Sequence, residues 1–174
     1  MKYLMSTVFV FMLYGCASTS VSTSSTVISY SPYFKISIPL EELGGAIFFQ
    51  SDSISVRFSD GSVLSGLIID KGVESLPSDF DLSEYPEYSL GLKSTSNLSQ
   101  PYADLFRNSW EETKRIYNNP EVTKTESNGK LIYTACGVDS CLSFLVDVNM
   151  SEHILMLSGM NVDQVEYNKL LKGI

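Results

Sequence analysis

From Val122 to Leu157 the chain runs through four strand-like segments whose connections are too short for anything but antiparallel turns. Val122–Glu126 leads into Asn128-Gly129, and Leu131–Cys136 into Gly137-Val138-Asp139-Ser140. Cys141–Val148 is then separated from His153–Leu157 by a brief polar break. A parallel neighbour needs a crossover of about a dozen residues or more, so these strands form a meander, each pairing with the next. Asn128-Gly129 suits a type I′ turn, in which both central positions take positive φ.

The first half is also strand-rich. Tyr33–Ile38 alternates and is closed by Pro39, Ala46–Gln50 is a short apolar run, and Ser53–Phe58 alternates cleanly. Ser59-Asp60-Gly61-Ser62 turns the chain into Val63–Asp70, and Asp-Gly between such runs is a strong hairpin signal. Residues 71–98 show no period and read as loop with one helical turn. Ser99-Gln100-Pro101 opens a helix with Ser99 as N-cap, and Asn118-Asn119-Pro120 ends it. Tyr102, Leu105, Phe106, Trp110, Thr113 and Tyr117 fall on one stripe of it, the pattern of a core-facing surface. Asn161-Val162-Asp163-Gln164 has the pattern of a capping box, and Val162, Val165, Leu170 and Leu171 are the apolar positions of a last helix. The expected fold is α+β, an antiparallel sheet with two main helices packed on it in the order ββββ-α-ββββ-α. Residues 27–174 suffice for a single domain with a full core.

The start of the chain is of another kind. Residues 3–14, behind Lys2, form an apolar run too short to span a bilayer as a helix, which takes about 20 residues. It fits the core of a secretory signal. The run ends in Leu13-Tyr14-Gly15-Cys16, which resembles the lipobox of bacterial lipoproteins, with Tyr14 bulkier than the usual residue there. That resemblance implies a signal peptide over 1–15 and a lipidated N-terminus at Cys16. It also implies attachment to a membrane, with Ala17 favouring the outer membrane and a domain facing the periplasm. Residues 16–26 then form a lipidated cysteine with a Ser/Thr-rich tether. Gly15-Cys16-Ala17 equally fits ordinary signal cleavage, which would release a soluble protein, and an uncleaved anchor is the third alternative.

Lys2 is the only charged side chain in residues 1–15, so the remainder keeps all 20 acidic residues against 11 of the 12 basic ones. Such a balance repels nucleic acid and favours a basic protein partner, although acidity also serves solubility alone. Beyond Cys16 the cysteines are Cys136 and Cys141, an even number flanking a four-residue turn. Across a hairpin they lie within reach of a structural disulfide, with free thiols or redox and metal chemistry as the other readings.

The element order, with its closing Ile154-Leu155-Met156-Leu157-Ser158 and Tyr167–Ile174, resembles the PsbP-like fold, including the DcrB-like lipoproteins. The resemblance implies a non-catalytic accessory part in envelope complexes and carries over no functional residues. No phosphate loop, nucleophile elbow or Cys/His cluster occurs in the sequence, and no cofactor is expected. His153 stands alone between Glu152 and Ile154. One stretch stands out, in which Asp79, Asp81, Glu84 and Glu87 interleave with Phe80, Tyr85 and Tyr88. It reads as a loop that binds a basic protein, with Tyr85 and Tyr88 as anchors. It reads also as a solvated loop with its rings tucked onto the core, and its acids lack the spacing of a calcium loop. Three functions follow from the whole: an envelope accessory lipoprotein binding a protein partner, an immunity lipoprotein neutralising a basic periplasmic toxin, and an envelope enzyme. The first agrees best with the absence of catalytic motifs.

Overall fold

The computed structural model describes residues 24–174 with the exception of Val73, so Cys16 and most of the Ser/Thr tract lie outside the described residues. Among the described residues nine strands and three α-helices follow in the order β1 (Ser25–Ser29), β2 (Lys35–Pro39), β3 (Ile47–Gln50), β4 (Ile54–Arg57), β5 (Val63–Ile69), α1 (Tyr85–Ser89), α2 (Gln100–Tyr117), β6 (Val122–Ser127), β7 (Lys130–Cys136), β8 (Ser140–Asp147), β9 (Met150–Met160) and α3 (Gln164–Leu171). The fold is α+β and its strands pair antiparallel throughout. β1 and β2 form a separate hairpin, and the other seven strands form one sheet in the order β3-β4-β5-β9-β8-β7-β6. The meander is present as the turns dictated, and β9 closes it by also pairing with β5.

That last pairing joins the two halves of the chain and gives the central strands two covered faces. On β8, Cys141 and Leu145 point to one side and Leu142, Phe144 and Val146 to the other, all buried. This is why β8 reads as a nearly continuous apolar run while the outlying β4 alternates. The first face packs with Ile28, Phe34, Ile36 and Ile38 of the β1–β2 hairpin and with Tyr167 and Leu171 of α3. The second packs with α1, α2 and the loop before them through Phe80, Tyr85, Tyr88 and Phe106.

Several local expectations change. β1 begins at Ser25, so Ser25 and Thr26 belong to a strand and not to the tether. On α2 the stripe holds at Phe106, Trp110, Thr113 and Tyr117, while Leu105 is exposed. Asp163, not Asn161, caps α3, accepting from the N–H groups of Val165 and Glu166. Asn161 has φ +54°, outside the extended backbone an N-cap adopts. Tyr167 and Leu171 form the buried side of α3, whereas Val165 is exposed.

Candidate functional site

The two edges of the large sheet are unlike. β6 exposes Lys124, Thr125 and Glu126, and charge on an edge strand opposes pairing with another chain. β3 carries Ile47, Phe48 and Phe49, exposed by 54, 54 and 53 %. Among the described residues no strand lies beyond it. Its register puts Phe48 opposite Val56 and Phe49 opposite Ser55, so apolar side chains stand out from both faces.

β3 is joined to β2 by residues 40–46. The Leu40 N–H donates to the Ser24 carbonyl at 2.9 Å, so the chain enters the domain beside this connection. Gly45 takes φ +78°, and a Cβ placed there would lie 3.8 Å from the Ser59 Cβ. The same connection walls a cleft of about 580 Å³ that lies between the end of β2, the Phe58–Ser62 turn and the start of α3. Glu41, Glu42, Asp60, Asp163 and Glu166 line it, with Lys169 the one cation among the lining residues. Asp60 accepts from the Ser62 hydroxyl at 2.7 Å and its N–H at 2.9 Å, and these bonds hold its carboxyl below the ordinary carboxylate range. Asp163 accepts from two backbone N–H groups at the start of α3. Neutral donors leave both negative charges in place. Lys169 donates to Glu166 at 2.5 Å, and its ammonium is favoured by Glu166 first, then by Asp163 and Glu42. The cleft is therefore anionic. Its carboxylates are spread around the rim, and among the described residues no three or more acids, histidines or cysteines are arranged to hold a metal ion.

The 79–88 stretch folds inward. Tyr85 and Tyr88 are 8 % and 3 % exposed, and with Phe80 they ring Phe106 of α2 at centroid distances of 5.2–5.7 Å. Tyr85 also meets Phe144 edge-on. The reading of these tyrosines as partner anchors is thereby corrected, because their rings fill the second core. The acids stay at the surface with internal duties. Asp81 accepts from the Ser83 N–H and hydroxyl, capping a short 3-10 turn. Glu84 pairs with Lys93 at 2.5 Å. Glu87 accepts from Lys124 at 2.9 Å and from the Tyr133 hydroxyl at 3.0 Å, and Lys124 above all holds its carboxyl low. Asp79 is exposed. Asp79, Asp81 and Glu84 share the rim of a shallow hollow of about 410 Å³, from which Glu87 is turned away.

Cys136 and Cys141 stand directly opposite across β7 and β8, joined as a disulfide with their Cα atoms 4.1 Å apart. His153 stacks on Tyr33, and its Nδ1 is buried without a hydrogen-bond partner among the described residues. Cys16 lies outside the described residues. No helix among the described residues is long and apolar enough to cross a membrane. Compared with protein-family models, with curated proteins and with solved structures, the chain matches none.

Neither the acidic cleft nor the bare edge was legible beforehand. The cleft gathers acids from residues 41 to 166. For β3, the uncharged Ile-Phe-Phe run was visible, but a short apolar run suits a central strand as well as an edge.

Proposed function

We propose that the chain is a bacterial cell-envelope lipoprotein, held to a membrane through Cys16, whose domain is a non-catalytic module that binds a protein partner. The lipobox-like Leu13-Tyr14-Gly15-Cys16 supports the anchor, and the resemblance of the element order expected from the sequence to the PsbP-like fold suggests an accessory part. The observation that carries the binding role is the bare edge of β3. Two phenylalanines and an isoleucine in water, on the one edge without charge, are costly to solubility unless something covers them. Ser24 joins the domain beside Leu40, about eight residues after Cys16, which limits the anchor to roughly 28 Å from that point. The partner would thus be met close to the membrane, on this reading the outer membrane seen from the periplasm. A second reading, immunity against a basic toxin, is favoured by the anionic cleft.

Two measurements test the proposal. A palmitate analogue fed to cells should label the wild-type protein and miss Cys16→Ser, and equal labelling would remove the anchor. Photo-crosslinking from residue 48 in intact cells, followed by mass spectrometry, should return one predominant protein. Capture of a toxin encoded beside this chain would decide for immunity. Absence of any crosslink, with label incorporated, would remove the binding role.

A further inference from the structure

We infer that β3 and the acidic cleft form one docking surface for an extended, basic segment of another protein, which adds to β3 as a further strand and sets a lysine or arginine in the cleft. The inference rests on the protein-binding reading above and names the partner's chemistry.

The two features are contiguous. Ile47 pairs with Arg57, and the next two residues, Phe58 and Ser59, line the cleft, as do Glu41 and Glu42 of the connection into β3. A strand laid along β3 therefore runs off its Ile47 end over the cleft mouth. The edge supplies backbone N–H and C=O groups for affinity, and Phe48 and Phe49, on opposite faces, give its alternating side chains apolar neighbours. The cleft supplies sign, with five carboxylates against Lys169, itself held by Glu166.

Charge also separates this occupant from two others. A bilayer rich in anionic lipid meets exposed Glu41, Glu42 and Asp52 around β3 against exposed Arg57 opposite Ile47, a net negative surface that repels it. A second copy paired antiparallel on β3 would bring its Asp52 end, not a cation, to the cleft. A basic strand satisfies both features at once.

The test uses the full chain purified in detergent and a displayed library of random twelve-residue peptides, with selected peptides synthesised and titrated. The expected peptides combine alternating apolar residues with lysine or arginine at one end. Their affinity should fall at least about tenfold with Phe48→Glu/Phe49→Glu and again with Glu41→Lys/Glu42→Lys. Asp79→Asn/Asp81→Asn should leave it unchanged, and rising salt should weaken wild type more than Glu41→Lys/Glu42→Lys. The charge-reversed variant lies on an exposed turn, so the test survives if the Phe48/Phe49 variant fails to fold by circular dichroism.

Neutral or acidic peptides, or binding indifferent to both double substitutions, would overturn the inference. Binding sensitive only to Asp79→Asn/Asp81→Asn would move the site to the 79–88 hollow and leave the protein-binding reading intact. Two further outcomes would overturn it in favour of another occupant. One is a Cys16→Ser chain that takes up phosphatidylethanolamine–phosphatidylglycerol vesicles through Phe48 and Phe49 while ignoring peptides. The other is a dimer that Phe48→Glu/Phe49→Glu dissolves.

Discussion

Tyr30 carries its ring into the first core, where its hydroxyl is buried without a hydrogen-bond partner among the described residues. Burial pushes its pKa up to about 12. Gly66 makes the room, since a Cβ there would lie 2.1 Å from the Tyr30 ring. Two outcomes follow at this scale. Tyr30→Phe removes an orphaned polar group and should leave the unfolding free energy at neutral pH unchanged, or raise it by up to about 1 kcal/mol. A phenol whose folded pKa lies above its unfolded value stabilises the fold below pH 10 and loses that contribution as pH rises toward 12. The advantage of Tyr30→Phe over wild type should therefore grow across that window in urea titrations. Gly66→Ala should cost about 1–3 kcal/mol through overpacking, and less in a Tyr30→Ala background. Additive losses would show that the two residues do not compete for space.

At the scale of elements, the link between α1 and β6–β7 is the ion pair of Glu87 with Lys124, backed by the Tyr133 hydroxyl. Glu87 ionises more readily folded than unfolded, so its contribution is complete above the ordinary carboxylate pKa of about 4.3 and fades as pH falls through its lower folded value. Glu87→Gln should cost about 1 kcal/mol at pH 7, and the difference from wild type should close in acid. Tyr88→Ala tests the inward-facing loop directly. A core ring predicts a loss of about 3 kcal/mol or more in unfolding free energy, whereas an external anchor would leave stability untouched. The β7–β8 hairpin offers a third measurement. Cys136→Ala/Cys141→Ala should remain folded and lose about 2 kcal/mol, because so short a loop constrains the unfolded chain only modestly. Two alkylatable thiols in freshly isolated wild type would contradict the bond.

Over the whole molecule, charge is sorted by place. α2 keeps its ion pairs on its own outer surface, Arg107 with Asp104 and Lys114 with Glu111, where exposed pairs contribute little. The cleft beside β3 collects five acids against Lys169, which pairs with Glu166. Neutralising Glu41 and Glu42 together should therefore leave the melting temperature unchanged or raise it slightly, by relieving like-charge repulsion. A fall of several degrees would mean that these acids hold the fold together.

Local periodicity and turn chemistry determined much of this protein. Asn128-Gly129 and the Cys136–Cys141 turn forced antiparallel neighbours, and the stripe on α2 marked its inner side at Phe106, Trp110, Thr113 and Tyr117 though not at Leu105. These follow from short-range geometry, which a dozen residues suffice to express. The tertiary structure alone decided that β9 pairs with β5, that Tyr85 and Tyr88 turn inward, and that β3 is an edge. It also decided that acids between residues 41 and 166 share one cleft. Each of these depends on partners distant in sequence, and whether a ring is core or surface is a property of what packs against it. The physical reason is that hydrophobic burial is non-directional: a segment's pattern fixes which side must be covered, and only the assembled chain determines what covers it or leaves it bare.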